Sequence, residues 1–129
     1  MTSKGNDLRT PFARANGLGS AKSGTAHFWR QRMSAVALIP LAIWFVVSAL
    51  TMVGANLAEV LVFFDSPVNA ILMFLFLFAA LYHMTLGLQV VIEDYIHQEG
   101  IKLLVLMLNR FFAIAVGFAT AFALLKIAL

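Results

Sequence analysis

The chain has 129 residues, of which 62% are hydrophobic and 12% charged. Soluble domains carry about twice that share of charged residues and disordered chains need low hydrophobicity, so both classes are excluded. There is no cysteine, which rules out disulfides, thiolate metal sites, iron–sulfur ligation and covalent c-type haem attachment.

The net charge of +3 is modest, but its distribution is not. Residues 1–32 hold Lys4, Arg9, Arg14, Lys22, Arg30 and Arg32 against a single acid, Asp7. Gly17, Gly19, Gly24, Ser20 and Ser23 interrupt helical pattern here, so this segment reads as a loose basic arm. It has no apolar core of the kind a secretory signal needs. Its Arg-rich, acid-poor character also resembles a mitochondrial transit peptide, although the Gly/Ser content suits a surface arm better.

Three apolar stretches follow. Residues 33–58 and 66–92 contain no charge, and residues 103–125 contain only Arg110. A membrane span needs about 20 predominantly apolar residues, and in hydrocarbon such a run must be helical to satisfy its own backbone. The expectation is an all-α membrane protein with spans at about 33–55, 67–95 and 101–126, forming one domain over residues 33–129. Gly54-Ala55-Asn56 ends the first span. Asp65-Ser66-Pro67 reads as a cap followed by proline at the first helical position of the second. Gly100 marks the break before the third, in which Arg110 must snorkel or face protein.

Orientation follows from the basic residues. The arm has six Lys/Arg, whereas residues 54–67 have none and carry Glu59 and Asp65. The positive-inside rule puts the N-terminus in the cytoplasm or, for a mitochondrial protein, the matrix. The expected partners are lipid and protein rather than nucleic acid.

His83 is the one histidine within an apolar span. At ~1.5 Å per residue it lies about 14 Å from Ile92 and about 24 Å from Pro67, inside the membrane and nearer the inner side. An imidazole there costs free energy unless its nitrogens are occupied by a metal, a haem iron, a proton path or a neighbouring helix. His83, Gly87, Val90 and Asp94 fall on one helical stripe. The glycine one turn from the histidine admits either a flat macrocycle or a packed helix. Without cysteine, any haem here is b-type, and a second axial imidazole comes from another chain. Arg30 and Arg32 stand at the level where propionates need cations, and they serve equally as headgroup anchors. Asp94-Tyr95 sits at the inner interface, where a phenol either anchors the helix or donates to a quinone carbonyl. His27, Glu93, His97, Glu99 and Lys102 share that level and suit a proton relay or an ordinary solvated loop.

The segment His83-x-x-x-Gly87 through Asp94-Tyr95, in a three-span protein with a basic arm, resembles the hydrophobic membrane anchor subunit of succinate dehydrogenase, respiratory complex II. The junction over residues 18–41, with His27-Phe-Trp-Arg-Gln-Arg32 at its centre, resembles the alphaproteobacterial branch. The resemblance implies half of a heterodimeric helical bundle in the bacterial inner membrane. It implies that His83 is an axial ligand of haem b, with the other ligand from the cytochrome b subunit. It further implies that Arg32 and His27 contact the propionates beside Gly87, and that Tyr95, with Asp94, binds ubiquinone. Electrons then arrive from the flavoprotein through the iron–sulfur subunit, and this chain holds no dehydrogenase centre. Glu93 adds a charge beside Asp94 that departs from the family pattern. The competing readings are a small transport or channel subunit using His83 and Arg110, and an assembly subunit without haem.

Overall fold

The computed structural model describes residues 24–129, so residues 1–23 of the arm expected over residues 1–32 lie outside the described residues. Four helices follow in order: α1 over Gly24–Thr51, α2 over Leu57–Asp65, α3 over Pro67–Tyr95 and α4 over Glu99–Ala128. Among the described residues there is no strand. Three of the helices, α1, α3 and α4, are long and apolar enough to cross a membrane. At ~1.5 Å per residue each is over 40 Å long, enough for a hydrocarbon core of about 30 Å with its interfaces.

The boundaries differ from the sequence expectation at both ends of α1, between the first two spans and at the start of the third. Helix α1 is already formed at Gly24, so residues 24–32 continue the span instead of belonging to the arm. Neither glycine nor proline interrupts the chain between Gly24 and Pro40, and His27, Gln31 and Ser34 form a polar face that packs on α3. At its other end α1 stops at Thr51, and a turn runs through Gly54, whose φ of +83° favours glycine. The region read as a loop between the first two spans contains α2. Asn56 begins it with a capping box, accepting from the Glu59 amide at 3.1 Å while Glu59 accepts from the Asn56 amide at 2.9 Å. The third span starts at Glu99, two residues early, because the break falls at residues 96–98 and Gly100 lies in the first turn.

Ser66 ends α2 and begins α3, with Pro67 at the first helical position as expected. The Ser66 side chain makes no capping bond. Instead Asn69 donates to the Phe63 carbonyl at 3.0 Å and ties the end of α2 to the start of α3.

Helix α3 is central, packing on α1 along one side and on α4 along the other. The Phe45 and Phe76 rings stack at 4.5 Å between α1 and α3, and Trp44 stacks on Phe63 of α2 at 6.4 Å. Asn109 of α4 donates to the Thr85 carbonyl of α3 at 3.0 Å. The buried apolar residues are Leu86, Ile92 and Leu124, while the buried polar ones are Ser34, Ser48 and Asn109. Phenylalanines, leucines and valines cover the outside instead. This is the membrane pattern: lipid provides no hydrophobic drive between helices, so close packing and polar bonds hold them together.

Candidate functional site

The site is built where α1 and α3 run antiparallel near the end that carries Arg30 and Arg32. On α1, His27, Gln31 and Ser34 recur at helical spacing and share a face. On α3, His83, Gly87 and Val90 do the same. These two faces meet.

His83 Nδ1 lies 2.9 Å from Ser34 Oγ. Ser34 has one hydroxyl proton, and it is donated to the Gln31 carbonyl at 2.9 Å. With that proton on the Gln31 carbonyl, Ser34 Oγ is free to accept from His83 Nδ1–H. In the Nδ1–H tautomer the ring donates to Ser34 and keeps its lone pair on Nε2. The Gln31 amide nitrogen faces that lone pair at a longer 3.4 Å. Both ring nitrogens of His83 thus meet side chains of the same polypeptide.

Below His83, toward the arginine end, a cleft of about 420 Å³ opens between the helices, lined by His27, Phe28, Gln31, Arg32, Gly87 and Val90. Gly87 sets its depth, since a Cβ there would meet Gln31 Nε2 at 3.5 Å. Two buried polar atoms beside the cleft have no partner among the described residues, His27 Nε2 and Gln31 Oε1. Arg32 stands at its rim with its guanidinium 5.2 Å from the centre of the Phe28 ring.

Of the residues singled out in the sequence, His27, Arg32 and Gly87 line this one cleft, and His83 stands a turn above it. Arg30 is exposed and does not line it. Asp94 and Tyr95 end α3 outside the cleft, with Tyr95 79% exposed. Glu93 accepts from Gln89 at 2.8 Å, and Lys102 pairs with Glu99 at 2.8 Å. These are local bonds typical of solvated helix ends.

Sequence reasoning missed Ser34 and Gln31. The available signal was the polar spacing His27-x-x-x-Gln31-x-x-Ser34 at the start of an otherwise apolar helix. On the other side of α3, a groove of about 460 Å³ runs along α4, lined by Phe74, Phe78, Tyr82, Ile114 and Phe118 with exposed Arg110 near one end.

The donor set fits a b-type haem. One imidazole has Nε2 on the side of Gln31, a cleft residue, and Nδ1 against Ser34. Unpartnered His27 Nε2 and the Arg32 guanidinium suit propionate carboxylates. Among the described residues no three His, Asp or Glu side chains converge as a metal site. Gln31, at 3.4 Å from Nε2, must yield to any iron bound there.

Fold and cleft together define an all-helical, multi-pass membrane subunit whose polar chemistry is concentrated at one end of one helix pair. Residues 6–117 match the model of the succinate dehydrogenase/fumarate reductase transmembrane subunit family, and the chain belongs to that family. It is 33% identical over 120 residues to the succinate dehydrogenase hydrophobic membrane anchor subunit of Paracoccus denitrificans, covering 93% of this chain and 92% of that one. It is 32% identical over 108 residues to the protein of the same name from Rickettsia bellii, covering 84% and 86%. It is also 29% identical over 98 residues to the succinate dehydrogenase membrane anchor subunit of Reclinomonas americana, covering 74% and 82%. No solved structure matches significantly. The resemblance to the alphaproteobacterial anchors therefore holds, and the chain is a non-catalytic membrane subunit of an enzyme complex.

Proposed function

We propose that this chain supplies one axial imidazole, His83, to a haem b shared with the cytochrome b subunit, and contributes Tyr95 and Asp94 to the ubiquinone site of succinate:quinone oxidoreductase. In this reading it docks the iron–sulfur and flavoprotein subunits on the membrane. The observation that carries the reading is His83 itself, within a span, with Nδ1 2.9 Å from Ser34 Oγ and Nε2 on the side of Gln31, which lines the cleft. Haem iron, when bound, supplies one-electron transfer.

The chain's own residues do the rest. Ser34 and Gln31 hold the ring. Gly87 keeps the helix surface low where a macrocycle approaches. Arg32 and His27 offer donors to propionates at the cleft rim, on the side of the membrane where Tyr95 ends α3. In this reading the exposed Tyr95 hydroxyl donates to a quinone carbonyl, and the neighbouring Asp94 hands on a proton. The six basic residues of segment 1–32, against the acidic segment 54–67, support a cytoplasmic N-terminus in a bacterial inner membrane.

The test is the reduced-minus-oxidised spectrum of the purified complex. Wild type should show the sharp bands of a low-spin, two-imidazole haem. His83→Ala should lose or shift them. An unchanged spectrum removes His83 from the ligand role.

A further inference from the structure

Ser34 is among the few buried residues of the chain, at 8% exposure, and it is polar. A buried hydroxyl is costly unless its bonds are made. Here both partners are in place: Ser34 Oγ donates to the Gln31 carbonyl at 2.9 Å, and His83 Nδ1 lies 2.9 Å from the same oxygen. The outward bond lies within one turn of α1, so the helix backbone sets where the hydroxyl's acceptor side faces. That side faces His83. Gln31 is not an alternative anchor, because its amide nitrogen sits on the opposite edge of the ring, at 3.4 Å from Nε2.

We infer that Ser34 is the positioning residue for His83: it selects the Nδ1–H tautomer and ring orientation, and so makes Nε2 the atom that meets the haem iron. The inference rests on the reading of His83 as a haem ligand and adds to it a residue that never touches the haem. A ligating histidine whose second nitrogen donates a hydrogen bond is more basic, and such supporting bonds typically carry a 10- to 100-fold effect on metal affinity. A more basic imidazole favours ferric over ferrous iron. Removing the Ser34 hydroxyl should therefore raise the haem midpoint potential and loosen the haem.

The experiment uses the intact purified complex carrying wild-type Ser34, Ser34→Ala, and the near-isosteric pair Ser34→Thr and Ser34→Val. Two quantities are read: the haem midpoint by optical redox titration, and haem release to an excess of apomyoglobin. Ser34→Ala and Ser34→Val should keep low-spin bands, shift the midpoint upward and release haem about 10-fold faster. Ser34→Thr, which keeps the hydroxyl, should stay close to wild type on both. The isosteric pair guards against a packing effect, because Thr and Val differ in the hydroxyl and not in shape. If Thr and Val behave alike, or if Ala and Val leave midpoint and release unchanged, the assignment of Ser34 is overturned while His83 keeps its role. A wild-type complex that contains no haem overturns the His83 reading, and the Ser34 assignment with it.

Discussion

Substituting Gly87 separates two uses of a small residue at a helix interface. A methyl group at this position would meet Gln31 Nε2 at 3.5 Å, which is ordinary contact. Gly87→Ala therefore needs no rearrangement, and alanine favours a helix interior by about 1 kcal/mol in water. Gly87→Leu is different. Its branched end extends past the Cβ position into the space held by Gln31 and the cleft beside His27. Overpacking of this kind costs about 1–3 kcal/mol. Placed against the haem side of His83, that cost lowers haem affinity by about 5- to 150-fold, at ~1.4 kcal/mol per decade. The assay is haem content per assembled complex, followed by haem release to apomyoglobin. Alanine should retain haem and assemble normally, and leucine should assemble but lose haem. If leucine keeps wild-type haem, the cleft at Gly87 is not where the macrocycle lies. If alanine already prevents assembly, the glycine serves helix packing.

Other outcomes follow from particular contacts. Tyr95→Phe should slow quinone reduction while leaving succinate-to-dye turnover largely intact; an equal fall in both would assign Tyr95 to assembly. Asn56→Ala breaks both bonds of the capping box and should cost about 1 kcal/mol, seen as roughly 5-fold faster amide exchange in the first turn of α2. Arg110→Leu should favour membrane insertion of the α4 segment by about 3–4 kcal/mol in a glycosylation-based insertion assay. Unchanged insertion would mean that Arg110 already reaches the interface.

The three spans were legible because unbroken apolar runs in a membrane leave the backbone one solution. Two local features were harder to read. The Asn56-x-x-Glu59 pattern is a capping box, but it follows Gly54-Ala55 closely and is easily taken as part of a helix end. Residues 24–32 look like arm because Gly24, Arg30 and Arg32 are polar punctuation in sequence, whereas in space the face through His27, Gln31 and Ser34 is held by α3. His83 was legible as the residue that needs a partner. Its nearest partners were not, because they lie 49 and 52 positions away, and helical periodicity does not register which faces meet. The sequence offered a neighbouring helix among the possible partners without saying which residues, and Ser34 and Gln31 of α1 are the ones that meet the ring. His27, Arg32 and Gly87 were grouped in the sequence only by the haem contacts that the resemblance implies, and antiparallel packing of α1 on α3 brings them to one cleft.

Near-infrared magnetic circular dichroism of the oxidised complex tests the central claim most directly, because the charge-transfer band of low-spin ferric haem identifies its axial pair. Wild type should give the position of two histidines, and His83→Met should move the band to that of a histidine–methionine pair. A wild-type band at any other position, or a band unmoved by His83→Met, would contradict the account.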